Sequence, residues 1–101
     1  MNSRASGLLG ILNKAGLLAL GPAVLPSLRK AFLLLLAEDA SLSSVKKLVS
    51  QARELNVPIL YIPSKQELGA PLGYEELSAL AILSKKGAKA FLEKHEKGDP
   101  T

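Results

Sequence analysis

Hydrophobic residues in this chain fall partly into short continuous runs and partly into positions that recur every three or four residues. The longest run is residues 31–37, Ala-Phe-Leu-Leu-Leu-Leu-Ala, and it ends at Glu38 and Asp39. Seven apolar residues are too few to span a bilayer. The run suits a strand covered on both faces of a sheet, although its period alone would also fit a buried helix. We predict a buried central strand.

The clearest helical pattern follows this run. Apolar residues recur every three or four positions between Leu42 and Leu55, with charged and polar residues between them, as on a helix that buries one face. Ser41 or Asp39 is expected to cap the first turn, because either side chain can accept from a free backbone N–H group. Asn56 is expected to end the helix.

The start of the chain is polar at residues 1–6, which we expect to be frayed. Leu8, Leu9, Leu12 and Ala15 then mark one face of a short amphipathic helix. Gly16 is expected to stop it, since glycine readily adopts the left-handed conformation that ends many helices.

Three further segments predict strands or helix boundaries. Residues 17–20, 57–62 and 78–84 are the remaining apolar runs. The Gly-Pro pair at residues 21–22 predicts the start of another helix. Pro26 lies inside it, so this helix is expected to be short, kinked or restarted at the proline.

The second half of the chain carries two more helical signals. The S-x-x-E spacing of residues 64–67 predicts a capping box. The helix that begins there either stops near Gly69 or continues irregularly to Gly73. Residues 86–94 predict a final helix, followed by a polar tail at residues 95–101.

Strands alternate with helices throughout, which predicts an α/β fold in the form of a three-layer α/β/α sandwich around a small sheet. At 101 residues we expect a single domain, residues 1–101, with an ordered core at about residues 7–94.

The amino-acid composition excludes several kinds of binding site. The absence of cysteine excludes disulfides and thiolate metal sites. Two Phe, two Tyr and no Trp argue against a base-stacking platform for single-stranded nucleic acid. The net charge of +4 resides in residues 1–50, and this excess either attracts a polyanion or serves solubility.

No residue pattern indicates catalysis. The adjacent carboxylates Glu38 and Asp39 would fit a metal or acid–base pair, but carboxylates after a strand more often cap the next helix. His95 has no histidine or cysteine partner, the serines match no nucleophile motif, and the glycines form no phosphate-binding loop. We therefore expect no enzyme, metal site, cofactor, small-molecule substrate or membrane partner.

Several segments resemble a known family. Residues 33–41, Leu-Leu-Leu-Leu-Ala-Glu-Asp-Ala-Ser, and residues 64–69, Ser-Lys-Gln-Glu-Leu-Gly, are similar to elements of the kink-turn RNA-binding family of large-subunit ribosomal proteins, the seven-Ae/thirty-e type. Residues 9–16 resemble its bacterial ribosomal-protein-like branch. The resemblance covers about residues 8–94. It implies a mixed four-stranded sheet, structured or ribosomal RNA as partner, and a cytoplasmic location.

The family grips RNA through a G-x-N-E-x-x-K motif at the start of its second helix. There the helix N-terminus favours phosphate, Asn and Glu read sheared G·A pairs, and Lys neutralises backbone charge. The matching stretch here is residues 21–27, Gly-Pro-Ala-Val-Leu-Pro-Ser. Gly21 is kept. Ala23 replaces the asparagine, Val24 the glutamate and Ser27 the lysine, so the resemblance implies a degraded recognition motif.

Other positions complete the implied site. Lys65 matches a basic position of the family, and Tyr74 begins the loop that packs on a flipped-out nucleotide, although two glutamates follow it. Lys14, Arg29 and Lys30 flank the altered helix and are expected to add phosphate contacts. The residues predicted to contact RNA are therefore Lys14, Gly21, Pro22, Ala23, Val24, Ser27, Arg29, Lys30, Lys65 and Tyr74.

Two functions remain open. Convergence of Lys14, Arg29, Lys30 and Lys65 on one patch would favour RNA binding, which we prefer. An apolar surface from Gly21 to Leu28 would favour a protein–protein interaction module on the same scaffold, because fold alone does not carry function.

Overall fold

A computed structural model describes residues 1–97 of the chain. Its regular elements alternate between helices and strands, as the sequence predicts. In chain order they are α1 (Ser3–Lys14), β1 (Leu18–Leu20), α2 (Val24–Ser27), β2 (Leu33–Ala37), α3 (Leu42–Glu54), β3 (Ile59–Ile62), α4 (Lys65–Gly69), β4 (Ala79–Ile82) and α5 (Lys85–Lys97).

The four strands form one mixed sheet in the order β1-β4-β2-β3. β2 runs parallel to β3, while β4 is antiparallel to both of its neighbours, β1 and β2. β1, β2 and β3 therefore point in the same direction. All five residues of β2 are buried, which confirms the interpretation of the long apolar run as an interior strand.

Two hydrophobic cores flank the sheet and produce the three predicted layers. Leu9, Leu68 and Phe91 join α1, α4 and α5 to one face of the sheet. Val24 and Val45 join α2 and α3 to the other face. β2 contributes to both cores in alternation, because successive side chains of a strand point to opposite faces.

Two helix ends follow the sequence signals. Gly16 has φ +73° and Asn56 has φ +57°, both in the left-handed region. After each of them, the next backbone N–H group donates to a carbonyl five residues earlier: Leu17 to Leu12 at 2.9 Å and Val57 to Ala52 at 2.8 Å. These bonds satisfy carbonyls that a helix terminus leaves free.

The capping predicted for α3 is wrong in its details. Ser41 occupies the capping position, but its side chain accepts from no backbone N–H group of α3. Its hydroxyl oxygen instead lies 2.6 Å from that of Ser44. The carboxylate of Asp39 accepts from the backbone N–H of Lys65 at 2.8 Å, and so ties the end of β2 to the first turn of α4.

The capping box predicted at residues 64–67 forms in one direction only, because the Glu67 carboxylate pairs with the Met1 amino group and not with the Ser64 N–H. The Ser64 hydroxyl accepts from the backbone N–H of Glu67 at 3.0 Å. The Glu67 carboxylate lies 2.9 Å from the amino group of Met1. A 3₁₀ turn, Ala70–Leu72, continues the chain to Gly73 at φ +80°. Of the two alternatives that the sequence left open, the irregular continuation is therefore the one that forms.

Both outer helices extend beyond their predicted limits. α1 begins at Ser3, within the segment expected to be frayed, because Asn2 caps it and the fully buried Ala5 anchors it. α5 continues to Lys97, and the His95 ring stacks on Phe91 with ring centroids 5.9 Å apart. Residues 98–101 of the predicted tail lie outside the described residues.

The segment between β1 and β2 is a broken helix. A 3₁₀ turn, Gly21–Ala23, leads into the four-residue α2, and a second 3₁₀ turn, Leu28–Lys30, follows it. Pro26 lies within α2 and lacks the N–H group that would extend a regular ladder of hydrogen bonds. Within residues 1–97, no helix combines the length and apolar character needed to cross a bilayer.

Candidate functional site

The strand directions divide the loops between two opposite ends of the sheet. β1, β2 and β3 finish, and β4 begins, at what we call the carboxyl end. It comprises the loops at residues 21–23, 38–41, 63–65 and 73–78. The opposite, amino end comprises residues 14–17, 28–32, 55–58 and 83–86. β2 spans five residues, so the two ends are separated by about 16 Å.

Backbone hydrogen bonds fix the loops of the carboxyl end to one another. The Ala37 N–H donates to the Ser78 carbonyl at 2.9 Å, and the Glu38 N–H donates to the Ile62 carbonyl at 2.8 Å. The Leu77 N–H donates to the Lys65 carbonyl at 2.9 Å. These loops therefore form one surface that holds a defined geometry.

The carboxyl end is predominantly acidic. Lys65 is its one cation, and its Nζ atom lies 3.4 Å from a carboxylate oxygen of Glu76. Glu38, Asp39 and Glu75 are exposed on the same loops. Four carboxylates against one paired lysine give this end a negative potential, which opposes the approach of phosphate.

The start of α2 offers few groups that could read a base. Pro22, Ala23 and Pro26 are exposed, and none of them has a side-chain hydrogen-bond donor or acceptor. Val24 is fully buried in the core, so only its backbone is available at the position of the family's glutamate. Gly21 has φ +52°, a conformation that favours glycine at this turn.

The loop before β4 presents one exposed aromatic ring. Tyr74 is half exposed, at 50% of its surface. Its backbone N–H donates to the Gly69 carbonyl at 3.1 Å. A Cβ atom added at Gly69 would lie 2.8 Å from the Tyr74 carbonyl oxygen, so the loop packs directly on the α4 backbone.

The amino end has the opposite charge. Residues 14–17, 28–32, 55–58 and 83–86 hold five exposed cations and no carboxylate; the five are Lys14, Arg29, Lys30, Lys85 and Lys86. The exposed pair Arg53 and Glu54, in the last turn of α3, adds no net charge to this end. Among residues 1–97 the ion pairs are Met1–Glu67 and Lys65–Glu76, so none of these five cations has a carboxylate within 4.0 Å. This end is the cationic surface of the sheet.

The structure therefore does not gather the ten predicted residues into one patch. Gly21, Pro22, Ala23, Val24, Lys65 and Tyr74 belong to the carboxyl end, and Lys14, Arg29 and Lys30 belong to the amino end. Ser27 lies between them on α2. The three cations that the sequence places beside the altered helix lie at its far end, away from Gly21.

Sequence reasoning also missed functional candidates at the amino end. The sequence predicts no role for Lys85 and Lys86, yet they open α5 at the same end of the sheet as Lys14, Arg29 and Lys30. Phe32 is 44% exposed although it belongs to the long apolar run. These residues come together only because β4 lies between β1 and β2 in the sheet. The local sequence does not predict this strand order.

The remaining features of residues 1–97 concern metal ligands and a surface cleft. No group of three or more His, Asp or Glu side chains within residues 1–97 could hold a metal ion. A shallow cleft of about 800 Å³ lies between α3 and the edge strand β3. Its lining includes two cations and two carboxylates, Lys46, Arg53, Glu38 and Glu54, together with the exposed ring of Tyr61.

Comparison with known proteins gives a consistent result. The model of the ribosomal protein L7Ae/L30e/S12e/Gadd45 family matches residues 25–92. A protein with unknown function from Bacillus halodurans C has a TM-score of 0.81 at 21% identity, over 91% of this chain and 96% of that chain. The Giardia lamblia 15.5kD RNA binding protein has a TM-score of 0.74 at 19% identity, over 92% of this chain and 86% of that chain. At these identities the structures share the fold. No curated protein matches the chain.

Proposed function

Because the chain belongs to the ribosomal protein L7Ae/L30e/S12e/Gadd45 family, we propose that it binds RNA, as a non-catalytic factor associated with the ribosome or other structured RNA in the cytoplasm. The fold shared with an RNA-binding protein from Giardia lamblia supports this proposal. We further propose that it does not recognise kink-turns.

The side chains at the start of α2 support the proposed loss of kink-turn recognition. The exposed side chains at the start of α2 are Pro22 and Ala23, which neither donate nor accept hydrogen bonds, and Val24 is buried. Sheared G·A pairs are read by hydrogen bonds to base edges, which these side chains cannot make. We therefore expect the affinity to come mainly from contacts to phosphate, which carry little sequence information.

The experiment compares a kink-turn RNA with an RNA of equal length and an equal number of unpaired nucleotides that cannot form the kink, across a series of salt concentrations. We expect similar affinities for the two RNAs and a steep fall of log K with log salt, because bound cations release counterions from the RNA. A strong preference for the kink-turn RNA would refute the loss of recognition. No binding to either RNA at low salt would refute RNA binding itself.

A second candidate function is a protein–protein interaction module that uses the surface from Gly21 to Leu28. The exposed apolar side chains of Pro22, Ala23 and Pro26 favour it, since none of the three carries a charge. Replacement of Pro22, which lies at the carboxyl end away from the amino-end cations, by glutamate distinguishes the candidates. It adds a charge to this surface, so it would disrupt a protein contact there, and it leaves the amino-end cations unchanged.

A further inference from the structure

We propose that RNA contacts the amino end of the sheet, where Lys14, Arg29, Lys30, Lys85 and Lys86 hold phosphates and Phe32 stacks on one unpaired base. This inference rests on the proposed RNA-binding function and moves the interface to the end opposite the altered motif. Three observations support the inference. The loops at residues 14–17, 28–32 and 83–86 are adjacent, they are positively charged, and one of them carries an exposed aromatic ring.

The adjacency follows from hydrogen bonds between neighbouring strands. The Leu83 N–H donates to the Leu17 carbonyl at 2.8 Å, which joins the loop after β4 to the loop before β1. The Phe32 N–H donates to the Ile82 carbonyl at 2.8 Å, which joins the same loop to the segment before β2. Neighbouring strands lie about 4.8 Å apart, so all three loops fit within about 10 Å.

Helix packing brings the helix ends that carry Lys14 and Lys86 together. A Cβ atom added at Gly87 would lie 2.8 Å from the Leu12 side chain, so the first turn of α5 rests on the last turn of α1. Lys14 follows Leu12 by two residues, and Lys86 immediately precedes Gly87. Lys14 and Lys86 therefore lie at adjoining helix ends, although they are 72 residues apart in sequence.

The charge of this surface suits a polyanion. Its five cations are exposed and none has a carboxylate within 4.0 Å among residues 1–97. The N-terminus of the 13-residue α5 points the same way and adds partial positive charge, with the Ser84 hydroxyl accepting from the Gly87 N–H at 2.9 Å. Contacts with all five cations predict a log K against log salt slope of about −3.5 for single-stranded RNA.

Phe32 adds a contact that phosphate binding alone does not explain. It lies two residues after Lys30 and pairs through its backbone with Ile82, three residues before Lys85. A large apolar ring that is 44% exposed among cations provides a stacking surface for one unpaired base. A single ring serves one nucleotide, which agrees with the scarcity of aromatic residues.

The alternative location for RNA is the carboxyl end. The negative charge of that end disfavours RNA binding. Its one cation, Lys65, pairs with Glu76, and exposed Glu38, Asp39 and Glu75 surround the pair. A phosphate at that end would meet four carboxylates. The same phosphate at the amino end would meet five cations, so long-range steering also favours the amino end.

Two double variants of equal charge test the location. Lys14→Gln with Lys86→Gln removes two cations from the amino end. Lys46→Gln with Lys65→Gln removes two exposed or half-exposed cations elsewhere, one on α3 and one at the carboxyl end. Each protein is titrated with a stem-loop RNA across a salt series, after urea denaturation has verified its folding.

We expect the amino-end variant to flatten the salt slope by about 1.5, because each phosphate contact contributes about 0.7 to 0.9. The control variant should retain the slope of the unaltered protein. Equal flattening in both variants, or flattening in the control alone, would overturn the inference. In either case RNA binding by the unaltered protein would preserve the proposed function, whereas no binding by that protein would overturn both.

Phe32→Leu tests the stacking contact separately. The unaltered protein should bind the stem-loop, which offers unpaired bases, more tightly than a fully paired duplex of equal length. Loss of the ring should reduce that preference by about five- to a hundredfold, while leaving the salt slope unchanged. An unchanged preference in a folded Phe32→Leu protein would overturn the role of Phe32.

Discussion

Gly69→Ala is the substitution whose effect the structure defines most sharply. Gly69 is the buried last residue of α4, and the loop before β4 crosses directly over it. An added Cβ atom would lie 2.8 Å from the Tyr74 carbonyl oxygen, 3.1 Å from the Glu76 carbonyl carbon and 3.2 Å from the Leu77 nitrogen. All three are backbone atoms, so no side chain can rotate out of the way.

The expected cost follows from two opposing effects. The loop must retreat by about 0.6 Å to restore a contact of 3.4 Å, and overpacking of this kind costs about 1–3 kcal/mol. Alanine also increases the free energy of unfolding by about 0.5–1 kcal/mol, because it restricts the unfolded chain more than glycine does. We expect Gly69→Ala to reduce the free energy of unfolding by about 1–2 kcal/mol, which lowers the Tm by about 5–15 °C.

Urea denaturation followed by circular dichroism measures this change, with Gly7→Ala as a matched control. Gly7 lies within α1, and an added Cβ atom there would meet nothing within 4 Å. The control should therefore raise the free energy of unfolding by about 0.5–1 kcal/mol. If Gly69→Ala stabilised the protein to the same extent as Gly7→Ala, the close approach of the loop to α4 would be refuted.

Two further substitutions test the account of capping and of the interior strand. Ser64→Ala should cost about 1 kcal/mol, because the Ser64 hydroxyl accepts from the Glu67 N–H. Ser41→Ala should change the free energy of unfolding by less than about 0.5 kcal/mol, since Ser41 caps no backbone group by its side chain; equal costs for the two serines would contradict the assignment. Leu35→Ala should cost about 2–5 kcal/mol, because Leu35 is fully buried in β2, and a loss below about 1 kcal/mol in the same urea experiment would contradict its place in the core.

The sequence predicts those parts of the fold that depend on local signals. The apolar run around Leu35 becomes an interior strand because both of its faces are covered. Gly16 and Asn56 end their helices because each adopts the left-handed conformation at the expected position. The Ser64 cap also follows from its spacing to Glu67.

Predictions failed where distant segments provide the stabilising contact. Residues at the start of α1 look polar, but Ala5 is fully buried and the Asn2 side-chain amide donates to the Lys94 carbonyl at 2.8 Å. Asp39 caps the first turn of α4 rather than the helix that follows it in sequence. The spacing of residues in the sequence predicts neither the Asn2–Lys94 nor the Asp39–Lys65 hydrogen bond.

The candidate site illustrates the same limit. The altered motif at residues 21–27 can be identified from the sequence through its resemblance to the family. The distance of this motif from Lys14, Arg29 and Lys30 cannot be identified from the sequence. It depends on the direction of β1 relative to β4 and β2. The family match therefore identifies the scaffold, while the three-dimensional arrangement of charge suggests where RNA binds.

The location of the RNA interface can be measured directly by nuclear magnetic resonance. The full chain, labelled with ¹⁵N, is titrated with a stem-loop RNA, and the shift of each backbone amide is followed. We predict the largest shifts at Lys14, Lys30, Phe32 and Lys86, with small shifts at Lys65 and Tyr74. Largest shifts at Lys65 and Tyr74 would contradict the account and would place the RNA at the carboxyl end.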